Sequence, residues 1–158
     1  MAMGRTELID QVRDYLDKND WKYEYMDMKG VIITGVNLQC KLQSTRLYFV
    51  FNDNGMTLYS NISMKADEAT RAMALEFITR ANYGTRNGNF EIDVDDGEIR
   101  YKVYISSRGS DMINEDLLEE SIYIAVSMLN RYGDGLLKVL MGYANSAKEE
   151  IDLIENQR

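Results

Sequence analysis

Residues 89–105 read NFEIDVDDGEIRYKVYI, and the order of apolar and charged side chains in that stretch decides the fold class. The two types alternate on either side of Asp96-Gly97, which is the period of a strand with one buried face. Asp-Gly is a signal for a two-residue type I′ turn, because both central positions need positive φ. A turn centred there predicts Val94 opposite Ile99, Ile92 opposite Tyr101 and Phe90 opposite Val103, all six on one face. The other face then sets Asp93 against Arg100 and Glu91 against Lys102, each pair worth a few tenths of a kcal/mol. A one-residue slip would bury the charges and expose the apolar row, so the side that faces inward is strongly specified.

The acidic tip invites a calcium reading, and the spacing refuses it. An EF-hand loop needs ligands at its first, third and fifth positions, Gly at the sixth and Glu at the twelfth. With Gly97 sixth, Ile92 would stand first and Val103 twelfth. A solvated hairpin tip is the better reading, and no metal site is expected.

A second hairpin is expected at Asn54-Gly55, pairing Phe51 with Leu58 and Leu47 with Ile62 on one face, and Asn52 with Thr57 and Val50 with Tyr59 on the other. Upstream, Trp21, Tyr23 and Tyr25 alternate toward a turn at Lys29-Gly30. Ile32, Val36, Leu38, Cys40 and Leu42 then share one parity. Helical periodicity marks Thr6–Asn19, with Thr6 as N-cap and Leu8, Ile9, Val12, Tyr15 and Leu16 on its apolar stripe. It also marks Ala66–Asn82, with Ala66, Ala69, Met73, Phe77, Ile78 and Ala81 inward. Asn114 is placed to cap a helix through Leu129 that Gly133 stops. Asp134 is placed to cap a last helix reaching about Glu155. There Leu137, Leu140, Ala144, Ala147, Ile151 and Ile154 form a seam too short for a coiled coil, which is expected to pack on the protein's own core. The fold class is therefore α+β: an antiparallel sheet of five to six strands with packed helices, in the order α-β(3-4)-α-β-β-α-α.

Composition sets the outer bounds. A chain of 158 residues without a linker-like composition shift reads as a single domain, 1–158. At that size about 68–70% of the unfolded surface can be buried. Cys40 is the only cysteine, so no internal disulfide can form and a reducing, cytoplasmic setting is expected. No signal-peptide pattern opens the sequence, and no apolar run approaches the ~18 residues of a membrane span. The net charge of −8 repels phosphate backbones, so no nucleic-acid partner is expected, and without an apolar span no membrane partner is expected either.

The segment from Asn82 through Gly88 into NFEID, then GEIRYKVYI before a helical C-terminus, resembles the YbjN family. That family is described as bacterial sensory-transduction regulators with a fold like that of type III secretion chaperones. Asn82, Gly88, Phe90, Ile92, Asp93, Gly97, Ile99 and Arg100 carry the likeness. What the resemblance implies is a noncatalytic module that recognises a protein segment, as a homodimer, with no catalytic residue to carry over.

The residues themselves weigh in the same direction. Without any histidine, no Ser-His or Cys-His pair and no histidine-bearing metal site can exist. Cys40 falls where a small core residue belongs and reads as an inert packed thiol. No phosphate-binding or dinucleotide fingerprint occurs, so no cofactor is expected. A small enzyme using paired carboxylates and a structural subunit of a larger complex are the alternatives. Tyr48, Val50 and Tyr59, on the parity opposite Leu47, Phe49, Phe51 and Leu58, are the candidate partner-binding residues. The competing explanation is that a helix covers that face.

Overall fold

The structure is a computed structural model that describes residues 3–157. Among them, β1 (Tyr23–Met26), β2 (Val31–Asn37), β3 (Ser44–Asn52) and β4 (Gly55–Asn61) follow helix α1 (Arg5–Lys18). Helix α2 (Arg71–Asn82), strands β5 (Asn89–Ile92) and β6 (Ile99–Ser106), and helices α3 (Glu115–Leu140) and α4 (Ala147–Glu155) complete the chain. All strand pairs are antiparallel, in one six-stranded sheet of order β1-β2-β3-β4-β6-β5. The expected α+β class and element order hold.

Both hairpins keep their expected faces but sit two residues away from the expected register. Phe90 lies opposite Tyr101 rather than Val103, and Glu91 opposite Arg100 rather than Lys102. Phe51 lies opposite Met56 rather than Leu58, and Tyr48 rather than Val50 lies opposite Tyr59. One cause explains both. In neither hairpin does the glycine sit inside a type I′ turn; it follows the turn residues, Gly55 at the fourth position of Asn52–Gly55, which type I turns prefer for Gly, and Gly97 one place later, as the fifth residue of a turn from Asp93. Asp53 and Asn54 keep negative φ, and Gly55 alone departs. In the other hairpin Asp93 Oδ1 accepts from the Asp95 N–H at 2.9 Å, and Gly97 at φ +80° returns its N–H to the Asp93 carbonyl at 2.7 Å. A shift of two preserves parity, so the apolar row still faces inward, except that Val94 rides in the loop and is exposed. The Gly97 carbonyl accepts the Ala66 N–H at 2.9 Å. Ala66 is thereby buried as a tether to the hairpin tip and not as part of a helix. The helix begins later, after Asp67 Oδ1 has accepted the Thr70 N–H at 2.8 Å.

The inward row of the sheet carries Ile32, Leu47, Phe49, Met56, Leu58, Phe90, Ile99, Tyr101 and Val103, all buried. Among the described residues, α1 packs against β3, α3 against β4 and β6, and α2 against β5, while α4 packs on α2 and α3. Arg13 of α1 lies over the Tyr25 ring at 4.8 Å, and buried Ser60 of β4 donates to the Ala125 carbonyl of α3 at 2.8 Å. Phe77 of α2 and Phe90 of β5 both meet Tyr132 of α3 edge to face, at 6.3 and 5.9 Å. These rings pack within a core whose other buried members are aliphatic, among them Leu8, Leu16, Ile32, Leu58, Leu118 and Leu129.

Two helix ends differ from expectation. Helix α1 begins at Arg5, ahead of Thr6, with the Glu7 carboxylate accepting the Gly4 N–H at 2.8 Å. Asn114 does cap α3, accepting from Asp116 and Leu117, but the helix runs through Gly133 to Leu140. Gly133 holds ordinary helical φ and serves as a place of close approach. A Cβ there would lie 2.6 Å from Cys40 Sγ and 2.8 Å from Leu42 Cδ1. The break falls at residues 141–146 instead, and Ser146 Oγ caps α4 by accepting the Glu149 N–H at 3.1 Å. The seam of apolar residues is thus split by a turn, and Leu140, Ala147 and Ile151 are buried in the protein's own core.

Candidate functional site

Among the described residues, the side of the sheet away from the helices is open. Alternation sends Ile33 of β2, Tyr48 and Val50 of β3, Thr57 and Tyr59 of β4, and Tyr104 of β6 to this side. Every inward neighbour on β3 and β4 is buried, whereas Tyr48, Val50, Thr57 and Tyr59 are half-buried and Tyr104 is exposed. The three expected partner-binding residues therefore do share one uncovered face. The register brings Tyr48 directly against Tyr59, with Val50 one step along between Val31 and Thr57.

Three charged side chains lock one flank of this aromatic row. Arg100 lies over the Tyr59 ring at 3.9 Å and donates through Nε to Glu91 Oε2 at 2.8 Å. Lys102 donates to the other oxygen of the same carboxylate. Partial burial of Glu91 opposes its ionisation. The hydrogen bonds from Lys102 and then Arg100 outweigh that cost and hold the carboxyl below its ordinary value. Glu91, Arg100 and Tyr59 thus form a fixed polar platform rather than loose surface charges. The opposite charges read across the hairpin do meet, but Glu91 takes both cations and Asp93 turns back to its own loop.

Sequence reasoning did not find Ile33, Tyr104, Arg100 or Lys102 as members of this face. Parity gives their outward direction, but the neighbouring of β4 with β6 is a long-range pairing that no local signal announces. The remaining sequence-derived candidates do not converge. Cys40 is partly buried, with Sγ 3.5 Å from the Leu129 carbonyl, packed against α3. Among the described residues no three His, Cys, Asp or Glu side chains come together as metal ligands. The groove between α3 and α4 is polar, but its groups are already engaged. Lys138 spans both oxygens of Glu150 at 3.3 Å, and Asp134 accepts the Lys41 N–H at 2.7 Å. No helix among the described residues is long and apolar enough to cross a membrane.

The model of the YbjN family, described as "Putative bacterial sensory transduction regulator", matches residues 8–138. The chain belongs to the YbjN family. The family description is that of a regulator and not of an enzyme. The crystal structure of YbjN, "a putative transcription regulator from E. coli", is similar in fold. Its TM-score is 0.57 at 8% sequence identity, over 85% of this chain and 89% of that one. No curated protein sequence matches the chain.

Proposed function

We propose that this regulator-family chain works without catalysis, by holding a segment of another protein on the open face of its sheet. The observation that carries the reading is the uncovered row Tyr48, Val50 and Tyr59, backed by the fixed Arg100–Glu91 platform. Aromatic side chains with few rotatable bonds, beside a pre-positioned arginine, are what protein interfaces favour at their centres. The platform orders its side chains before any partner arrives, which lowers the entropy lost on binding. We further propose that the protein acts as a homodimer in the cytoplasm. Tyr123, Met141, Tyr143 and Leu153 of the helical layer are exposed apolar groups that a second copy would cover, leaving the sheet face open.

A photo-crosslinking amino acid at position 50, introduced in cells, tests the reading. Discrete crosslinked products are expected from position 50, lost on Tyr48→Glu, and absent when the crosslinker stands at exposed Asp14 of helix α1. Equal crosslinking from both positions would remove the sheet face as the site.

A further inference from the structure

Resting on the reading of the open sheet face as a protein-binding surface, we propose that its occupant is a peptide segment bearing a carboxylate beside bulky apolar residues. The carboxylate sits in a hollow above Gly35. On the outward row of β2 the side chains run Val31, Ile33, then none at Gly35, and nothing lies within 4 Å of where a Cβ at that position would stand. Arg46 is its partner in register, and Lys22, Glu24 and Ile33 complete the rim. The missing side chain makes a notch, and two cations look into it.

Those cations differ from the others on the face. Arg100 and Lys102 are committed to Glu91. Among the described residues neither Lys22 nor Arg46 makes an ion pair. In a chain of net charge −8, two unpaired cations beside a single carboxylate, Glu24, leave the hollow locally positive. From its mouth the floor continues as Ile33, Tyr48 and Val50, with Ile33 directly against Tyr48. A segment crossing the strands would meet a cationic notch first and an apolar floor next. An acidic residue followed by large apolar ones satisfies both.

A single-stranded nucleic acid also likes aromatic and basic sheet faces, but it fits less well. It brings a phosphate with every nucleotide, whereas the hollow holds one cation in excess and Glu91 stands on the flank of the aromatic row. The overall acidity adds long-range repulsion.

Three variants separate the outcomes, two at the hollow and Val50→Asp on the apolar floor. Gly35→Val fills the notch on a strand that accepts a β-branched residue, so its thermal midpoint should equal or exceed that of the parent. Arg46→Glu reverses the free charge at an exposed position. The probe is a random-peptide phage library selected on the purified protein, followed by the enriched peptide in synthetic form. We expect acidic–apolar sequences that bind about tenfold more weakly to either hollow variant and weaken as salt rises. Enriched peptides without carboxylates, or peptides that bind Gly35→Val and Arg46→Glu as tightly as the parent while Val50→Asp abolishes binding, would overturn the hollow and leave the sheet-face reading standing. Failure to enrich any peptide, or binding indifferent to Val50→Asp, would overturn both. An oligothymidylate that displaces the peptide and binds more tightly would assign the face to nucleic acid. Dissociation of a dimer by Arg46→Glu would assign it to a second copy. Either result would sink the proposal.

Discussion

The side-chain amide of Asn82 pairs with both backbone groups of Phe90, donating to its carbonyl at 3.0 Å and accepting from its N–H at 2.7 Å. Strand β5 is at the edge of the sheet, where one row of backbone groups has no neighbouring strand. Asn82, at the last position of α2, supplies the missing partner and welds the helix end to the strand. Replacing it by Ala leaves the Phe90 N–H without its partner, whereas the carbonyl keeps a bond from Asn89 Nδ2 at 3.1 Å. We expect Asn82→Ala to cost about 1–3 kcal/mol in urea unfolding and to raise amide exchange at Phe90 before the rest of the sheet. A change within about 0.5 kcal/mol, the range of an ordinary surface substitution, would show that the pairing is dispensable.

Asn82 illustrates what the sequence discloses and what it hides. Its place in the family-like pattern is visible, but its pairing eight residues on depends on the turn geometry between. Strand faces were legible because a period of two survives an error of two. The registers were not, because Asn-Gly and Asp-Gly look alike whether Gly lies inside a turn or ends it. Tyr48, Val50 and Tyr59 were legible as one face by the same parity. That no helix covers them was not, since all four helices could as well have divided between the two sides. Gly133 misled for a different reason. A glycine that ends a helix and one that admits a neighbour are the same letter, and only Cys40 Sγ and Leu42 against it decide.

That contact makes its own prediction. Alanine normally favours a helix over glycine by about 1 kcal/mol, yet Gly133→Ala should destabilise by about 1–3 kcal/mol through overpacking against Cys40. Cys40→Ala alone should cost less and leave partner binding intact, and the native thiol should label slowly. Combined, the two substitutions should be less harmful than their sum, because removing Sγ makes room for the new methyl. A double-mutant cycle by thermal unfolding reads this directly, and strict additivity would contradict it.

Alkaline pH should unfold the protein progressively. Burial, with a smaller contribution from nearby Tyr132, pushes the Tyr101 hydroxyl from 10.0 up to about 12. The folded state then holds the proton more tightly than the unfolded state. The contribution is fully present below pH 10 and is lost as pH rises toward 12. Burial raises Tyr132 in the same direction. Tyr101→Phe should flatten the decline of stability over that window, even though it lowers stability at neutral pH by removing the 2.6 Å bond to the Asn87 carbonyl. Denaturant midpoints measured from pH 8 to 12 would test the sign.

Self-association should be visible by light scattering as twice the 18.2 kDa chain mass at micromolar concentration. Tyr143→Asp and Leu153→Asp, both at exposed positions, should return the monomer without loss of fold. A monomer mass for the parent protein would reject the dimer and leave the sheet-face site untouched, since that surface is on the other side of the sheet.

The last test ranks two residues that are close neighbours on opposite faces of the same hairpin. Phe90 is buried, with its ring edge to face against Tyr101 at 4.9 Å and Tyr132 at 5.9 Å. Truncation to Ala forfeits its transfer energy and leaves a cavity, at an expected cost of about 3–5 kcal/mol. Arg100→Glu breaks the bond to Glu91, adds like-charge repulsion and removes the cation over Tyr59. All of this happens where the Arg100 side chain is 36% exposed, so water screens the loss. Exposed pairs contribute about 0–1 kcal/mol and an exposed cation–π contact about 0.5–1, which sets Arg100→Glu below Phe90→Ala. Chemical unfolding of both variants gives the order. If the two cost the same in the isolated protein, the Glu91–Arg100 platform is desolvated in the native assembly, because only a broken pair shielded from water is that expensive. The open face would then already be covered, by a second copy of the chain itself.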